Sequence, residues 1–159
     1  MMEDYYIPLA DANRRTFSPA LARRGQAALA AQTKSCSPFD LLGRLILPIV
    51  SGTAKKFAYG QASVDLARTA IALERWRLVH GEFPESLDAL VPQLIAKVPH
   101  DVVGGQPLQY RRQADGLFVL YSVGWNKTDD GGLVGSNTDG SEDIETGDWV
   151  WRYPAKGAI

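Results

Sequence analysis

The stretch AKKFAYGQASVDLARTAIALERWRLVH, residues 54–80, decides how this chain folds. Phe57, Val64, Ile71 and Leu78 recur every seven residues, and Ala67, Ala70 and Leu73 widen the apolar stripe, while Lys55, Lys56, Arg68, Glu74 and Arg75 are left to point outward. That pattern predicts one long helix with its stripe against a core. The stripe is too broad for a simple coiled-coil seam. Gly81 follows as a left-handed cap, and Pro84 prevents continuation.

Downstream of this helix the period changes. Ser86 is placed to cap a short second helix over 87–91, with Leu87, Leu90 and Val91 folding back on the first, and Pro92 and Pro99 punctuate the connector. Beyond Asp101 an alternating pattern predicts strands at 107–112 and 117–123, joined at the hairpin signal Asp115-Gly116. Trp149-Val150-Trp151-Arg152-Tyr153 reads as a last strand before Pro154. The expected class is α+β: a long helix packed on a small antiparallel sheet of about three strands.

Upstream, residues 1–36 read as a flexible or weakly helical arm. Ser18-Pro19 marks a helix start that would run through 20–31, although Gly25 lies inside it and large side chains are scarce. Residues 37–53 read as a short helix and connector, opened by Ser37-Pro38-Phe39-Asp40 and carrying Leu41, Leu42, Leu45 and Ile46 on one face. The globular domain is assigned to 54–154 and a tail to 155–159.

Composition narrows the function classes. The 159 residues suit one domain, and a formal net charge of -1 gives no bias toward nucleic acid or an anionic membrane. One cysteine, Cys36, allows neither an internal disulfide nor a cysteine-based zinc cluster within the chain. The apolar run 41–50 is interrupted by Arg44 and Pro48 and is short of the roughly 20 residues that a membrane helix needs. Glu3 and Asp4 stand where a secretory signal would be basic, so no export signal is expected in this sequence.

Residues 126–148 form the cluster that asks for chemistry. Asp129, Asp130, Asp139, Glu142, Asp143, Glu145 and Asp148 face a single Lys127 amid many glycines. Carboxylate and amide oxygens with a turn-forming backbone are what a hard cation such as Ca2+ requires, and crowded carboxylates without one would repel. The competing reading is a merely solvated loop. An EF-hand is excluded: setting Gly140 at the invariant glycine puts Gly135 at the first ligand position and Thr146 where a bidentate Glu belongs.

Other candidates are weaker. His80, at the helix C-terminus, suits a capping role. His100 beside Asp101 could be a general base with its orienting carboxylate, as in a hydrolase, but no nucleophile motif accompanies the pair. Gly104-Gly105 is too short for a phosphate loop. Trp125, Trp149, Trp151 and Tyr153 could form a ligand- or partner-binding aromatic face, or simply pack over the helix.

The motifs in order carry a resemblance. Ala72-Leu73-Glu74-Arg75-Trp76-Arg77-Leu78 leads into His80-Gly81-Glu82-Phe83-Pro84-Glu85-Ser86-Leu87, then Val98-Pro99-His100-Asp101. Gly105-Gln106-Pro107-Leu108-Gln109-Tyr110 and Tyr121-Ser122-Val123-Gly124-Trp125-Asn126 follow, and Asp129-Asp130-Gly131-Gly132 closes the series. From about residue 62 to 154 the chain resembles the globular part of a type II secretion major pseudopilin. The resemblance implies a non-catalytic structural protein of the bacterial cell envelope, working by assembly or protein–protein contact, with calcium in the acidic loop. The ligands it implies are the Val123 carbonyl, the Asn126 side chain, Asp130, and an acid just before the final strand, either Asp148 or Asp143. Asn126 stands where the family often has Asp, which implies lower affinity. The family's leader and its apolar helix are not found ahead of residue 54, so the expectation is a fragment of an anchored protein or a module reused outside a fibre.

Overall fold

The computed structural model describes residues 10–11, 15–32 and 52–153. Strands β1 (Ala10–Asp11) and β2 (Thr16–Phe17) pair antiparallel and lead into helix α1 (Pro19–Gln32). The Ser18 hydroxyl accepts the Leu21 N–H at 3.4 Å, so serine cap and first-turn proline start this helix as the sequence suggests. The expected short helix within 37–53, Cys36 and the tail 155–159 lie outside the described residues.

Helix α2 spans Thr53–His80. Gly81 ends it in the left-handed conformation, φ 82°, with its N–H on the Arg77 carbonyl at 2.8 Å. The buried face is the expected one at Ala70 and Leu73 but not along the seven-residue repeat. Phe57, Val64, Ile71 and Leu78 are 67%, 52%, 60% and 71% exposed. The core instead takes Ala54, Ala58, Ala62, Leu66, Ala70 and Leu73, a row stepping by three or four residues. Four of these six are alanines, and small side chains let a sheet lie closer to the helix axis than a row of Phe, Val, Ile and Leu would. Size favoured the seven-residue repeat in the sequence; close approach favours the alanine row in the fold.

After α2 the chain makes a short 3₁₀ helix, Leu87–Leu90, at the place of the short helix that the sequence predicts over 87–91. Contrary to the expected cap, the Ser86 side chain makes no cap bond; its carbonyl accepts the Ala89 N–H at 3.4 Å instead. Its Leu87 and Leu90 are both buried. Strands β3 (Gln109–Arg112), β4 (Phe118–Ser122) and β7 (Trp149–Trp151) form an antiparallel sheet in the order β3-β4-β7, registered by Tyr110 opposite Leu120 and Tyr121 opposite Val150. The turn between β3 and β4 places Gly116 at φ 79°, as Asp115-Gly116 implied. Inside the acidic stretch, where composition predicts a loop, lies a further hairpin, β5 (Val134–Ser136) with β6 (Glu142–Gly147).

Two apolar clusters hold these layers together. Leu66, Ala70 and Leu73 meet Phe83, Leu90 and Leu120 at one end. At the other, Ala58 and Ala62 receive Trp149 with Val102 and Val103, and Phe17 and Trp125 pack on the rim. The Phe17 N–H donates to the Val102 carbonyl at 2.6 Å, so the β2 segment is tied to the domain. Among the described residues no helix is long and apolar enough to cross a membrane.

Candidate functional site

Asp148 organises the acidic stretch. It sits between β6 and β7, is fully buried, and its own N–H donates to the Leu133 carbonyl at 2.7 Å. Its side chain reaches back to the start of the stretch: Oδ2 accepts the Gly132 N–H at 2.6 Å and Oδ1 the Asp130 N–H at 3.4 Å. Gly132 can serve because it is at φ 87° and lies so close to β4 that an added Cβ would stand 2.8 Å from Val119 Cγ1. Burial pushes the Asp148 carboxyl above its ordinary 3.8, and the charges of Asp130 and Asp129 push the same way against the two N–H donors.

Around this pin the other polar groups are satisfied locally. Asp129 accepts the Tyr121 hydroxyl at 3.0 Å and the Gly131 N–H at 2.9 Å. Burial and that contact with Asp129 push the Tyr121 phenol up to about 12. Asn126 accepts the Thr128 N–H at 3.0 Å and donates from Nδ2 to Asp130 Oδ2 at 3.2 Å. Further along, Asp143 accepts the Glu145 N–H at 2.9 Å and the Thr146 hydroxyl at 2.8 Å, which hold its carboxyl below the ordinary range. Glu145 pairs with Lys55, and the Tyr59 hydroxyl reaches Glu142 at 3.5 Å, so the β5–β6 hairpin is fastened to the first turns of α2.

Of the expected ligands the fold links Asn126 to Asp130 through their side chains, and Asp130 to Asp148 through the Asp130 N–H. Asp143 is engaged separately, within its own strand. Val123 directs its N–H to Asp101 at 2.8 Å. The donor set is all oxygen, which suits a hard cation. Its lone pairs nonetheless face N–H donors, and no three His, Cys, Asp or Glu side chains among the described residues gather as a metal site.

The other candidates take structural positions. Asp101 is buried, and its Oδ1 accepts the N–H groups of Val103 at 2.7 Å and Gly104 at 2.9 Å, while Oδ2 accepts that of Val123. The His100 ring instead lies with Nε2 3.2 Å from the Arg15 carbonyl, so the two side chains are directed to different partners. His80 Nδ1 is 2.9 Å from the Trp76 carbonyl and its ring stacks on that indole, in keeping with a helix-end role. Trp149 is buried edge-on against Tyr59, and Trp151 and Tyr153 pack on the core cluster of Phe83 and Phe118. Sequence reasoning missed Asp101 as a backbone organiser; the signal was the Asp-x-x-Gly spacing before Gly104-Gly105, where an Asp side chain readily closes a turn on the following N–H groups.

No known protein family, curated protein or solved structure matches this chain.

Proposed function

We propose that this chain is a non-catalytic structural module of the type II secretion pseudopilin kind, working through protein–protein contact, whose acidic turn is ordered by calcium. The observation that carries the reading is the buried Asp148 carboxylate, which accepts the Asp130 N–H while Asn126 bonds the Asp130 side chain, and which is raised in pKa by burial and neighbouring negative charge. A divalent cation there would offset both the burial and the neighbouring negative charge. Asp148 would supply the carboxylate before the last strand, Asp130 and Asn126 side-chain oxygens, and Val123 a carbonyl. The long helix over a three-stranded antiparallel sheet supports the same reading.

The test is isothermal titration of calcium into chelator-treated protein, with Asp148→Asn as the comparison. A saturable heat that the substitution abolishes supports the proposal. No heat from the wild-type chain removes calcium from it.

A further inference from the structure

The face of α2 turned away from the sheet has a heptad order of its own. Phe57, Val64, Ile71 and Leu78 make one exposed row, and Gln61, Arg68 and Arg75, also exposed, fall between them at alternating spacings of four and three. Such spacing is a coiled-coil seam, with one line apolar and the other polar to basic. From Phe57 to Leu78 it runs about 31 Å at 1.5 Å per residue. A cleft of about 800 Å3 lies along its middle, where Arg15 of the β2 segment and Lys97 of the connector join Arg68 and Arg75, four cations against the two lining acids Asp11 and Asp65.

Charge selects the occupant. Arg15, Arg68, Arg75 and Lys97 have no side-chain partner among the described residues. The acids of α2 are only Asp65 and Glu74; Asp65 takes the Gln61 amide at 3.0 Å and Glu74 is bound by Arg77. A second copy laid parallel would set Arg68 against Arg68 and Arg75 against Arg75, which is repulsive. We infer that this seam docks an amphipathic helix of another protein, apolar along one line and carrying carboxylates along the line that meets Arg68 and Arg75. Apolar side chains seat between the Phe57, Val64, Ile71 and Leu78 knobs, and the carboxylates fix register and orientation. The inference rests on the assembly reading above for the expectation of a protein partner, and it does not involve calcium.

The probe is a labelled synthetic helix of about three heptads with Leu on one seam line and Glu on the other, and a control with Lys in place of Glu. Fluorescence anisotropy is read against the full chain in excess chelator, so that failure of the calcium reading leaves this result standing. The Glu peptide should bind at least about tenfold more tightly than the Lys peptide and weaken with added salt. Arg68→Glu with Arg75→Glu should invert that preference, and Ile71→Asp should abolish binding of both. All three positions are exposed, and circular dichroism checks that the fold persists. Equal binding of the two peptides, absence of binding, or a preference unchanged by charge reversal overturns the inference. So does sedimentation equilibrium showing a wild-type dimer that Ile71→Asp disperses, which would give the seam to a second copy.

Discussion

Replacing Asp101 by Ala should unfold this domain more readily than any loop substitution of comparable size. The carboxylate accepts three backbone N–H groups, from Val103, Gly104 and Val123, and it is 2% exposed. Gly104 is exposed and water can take over its bond, but Val103 is buried and Val123 partly so. Leaving a buried donor unpaired costs about 1–3 kcal/mol, so two such donors imply a loss of roughly 3–5 kcal/mol. At about 3 °C per kcal/mol that lowers the midpoint by roughly 10–15 °C. Asp101→Asn keeps one oxygen for Val103 and Gly104 and turns an amide N–H toward the Val123 N–H, so it should cost about half as much. Urea unfolding at neutral pH is the assay, with the midpoint shifting and the slope unchanged. A loss below about 1 kcal/mol for the alanine variant would refute the view that this side chain ties the connector to the end of β4.

Two further expectations probe helix packing and titration. Leu73→Ala, at a fully buried position, should cost about 2–5 kcal/mol, whereas Ile71→Ala, 60% exposed, should stay within about 0.5; equal losses would mean that α2 presents a different face. The folded-state pKa of Asp148 is raised, so its charged form opposes folding at neutral pH, and this penalty disappears as pH falls through the raised value toward 3.8. Relative to Asp148→Asn, the wild-type chain should therefore gain stability on acidification through that window. A parallel pair of stability curves would contradict it. Asp143 and Asp139 have lowered values, so their contributions have the opposite sense, present above the ordinary carboxylate range and lost as pH drops through their folded values.

The long helix, its Gly81 stop, the three main strands and the Asp115-Gly116 turn were all legible, because each rests on local chemistry that tertiary contacts did not override. The helix face was legible only at Ala70 and Leu73. Periodicity weighs large side chains, and Phe57, Val64, Ile71 and Leu78 outweigh the alanines that the sheet approaches. The β5–β6 hairpin was hidden for a related reason: Gly, Asp and Glu there have little strand preference, and the pairing depends on glycines such as Gly135, whose missing Cβ lets it pass the Thr146 carbonyl. At the acidic turn, the position of Asp148 just before the final strand was legible. That both its oxygens would meet backbone N–H groups of residues 16 and 18 positions earlier was not, since such contacts come from the crossing of two turns that no local pattern records.

Thermal unfolding in millimolar calcium and in excess chelator, run on the wild-type chain, Asp148→Ala and Asp139→Ala, is decisive for the acidic turn. Calcium should raise the wild-type midpoint by several degrees, leave that response nearly intact in Asp139→Ala, and lose most of it in Asp148→Ala. A midpoint that is the same with calcium and with chelator would contradict a cation-ordered turn, and equal responses in the two variants would contradict the place given to Asp148.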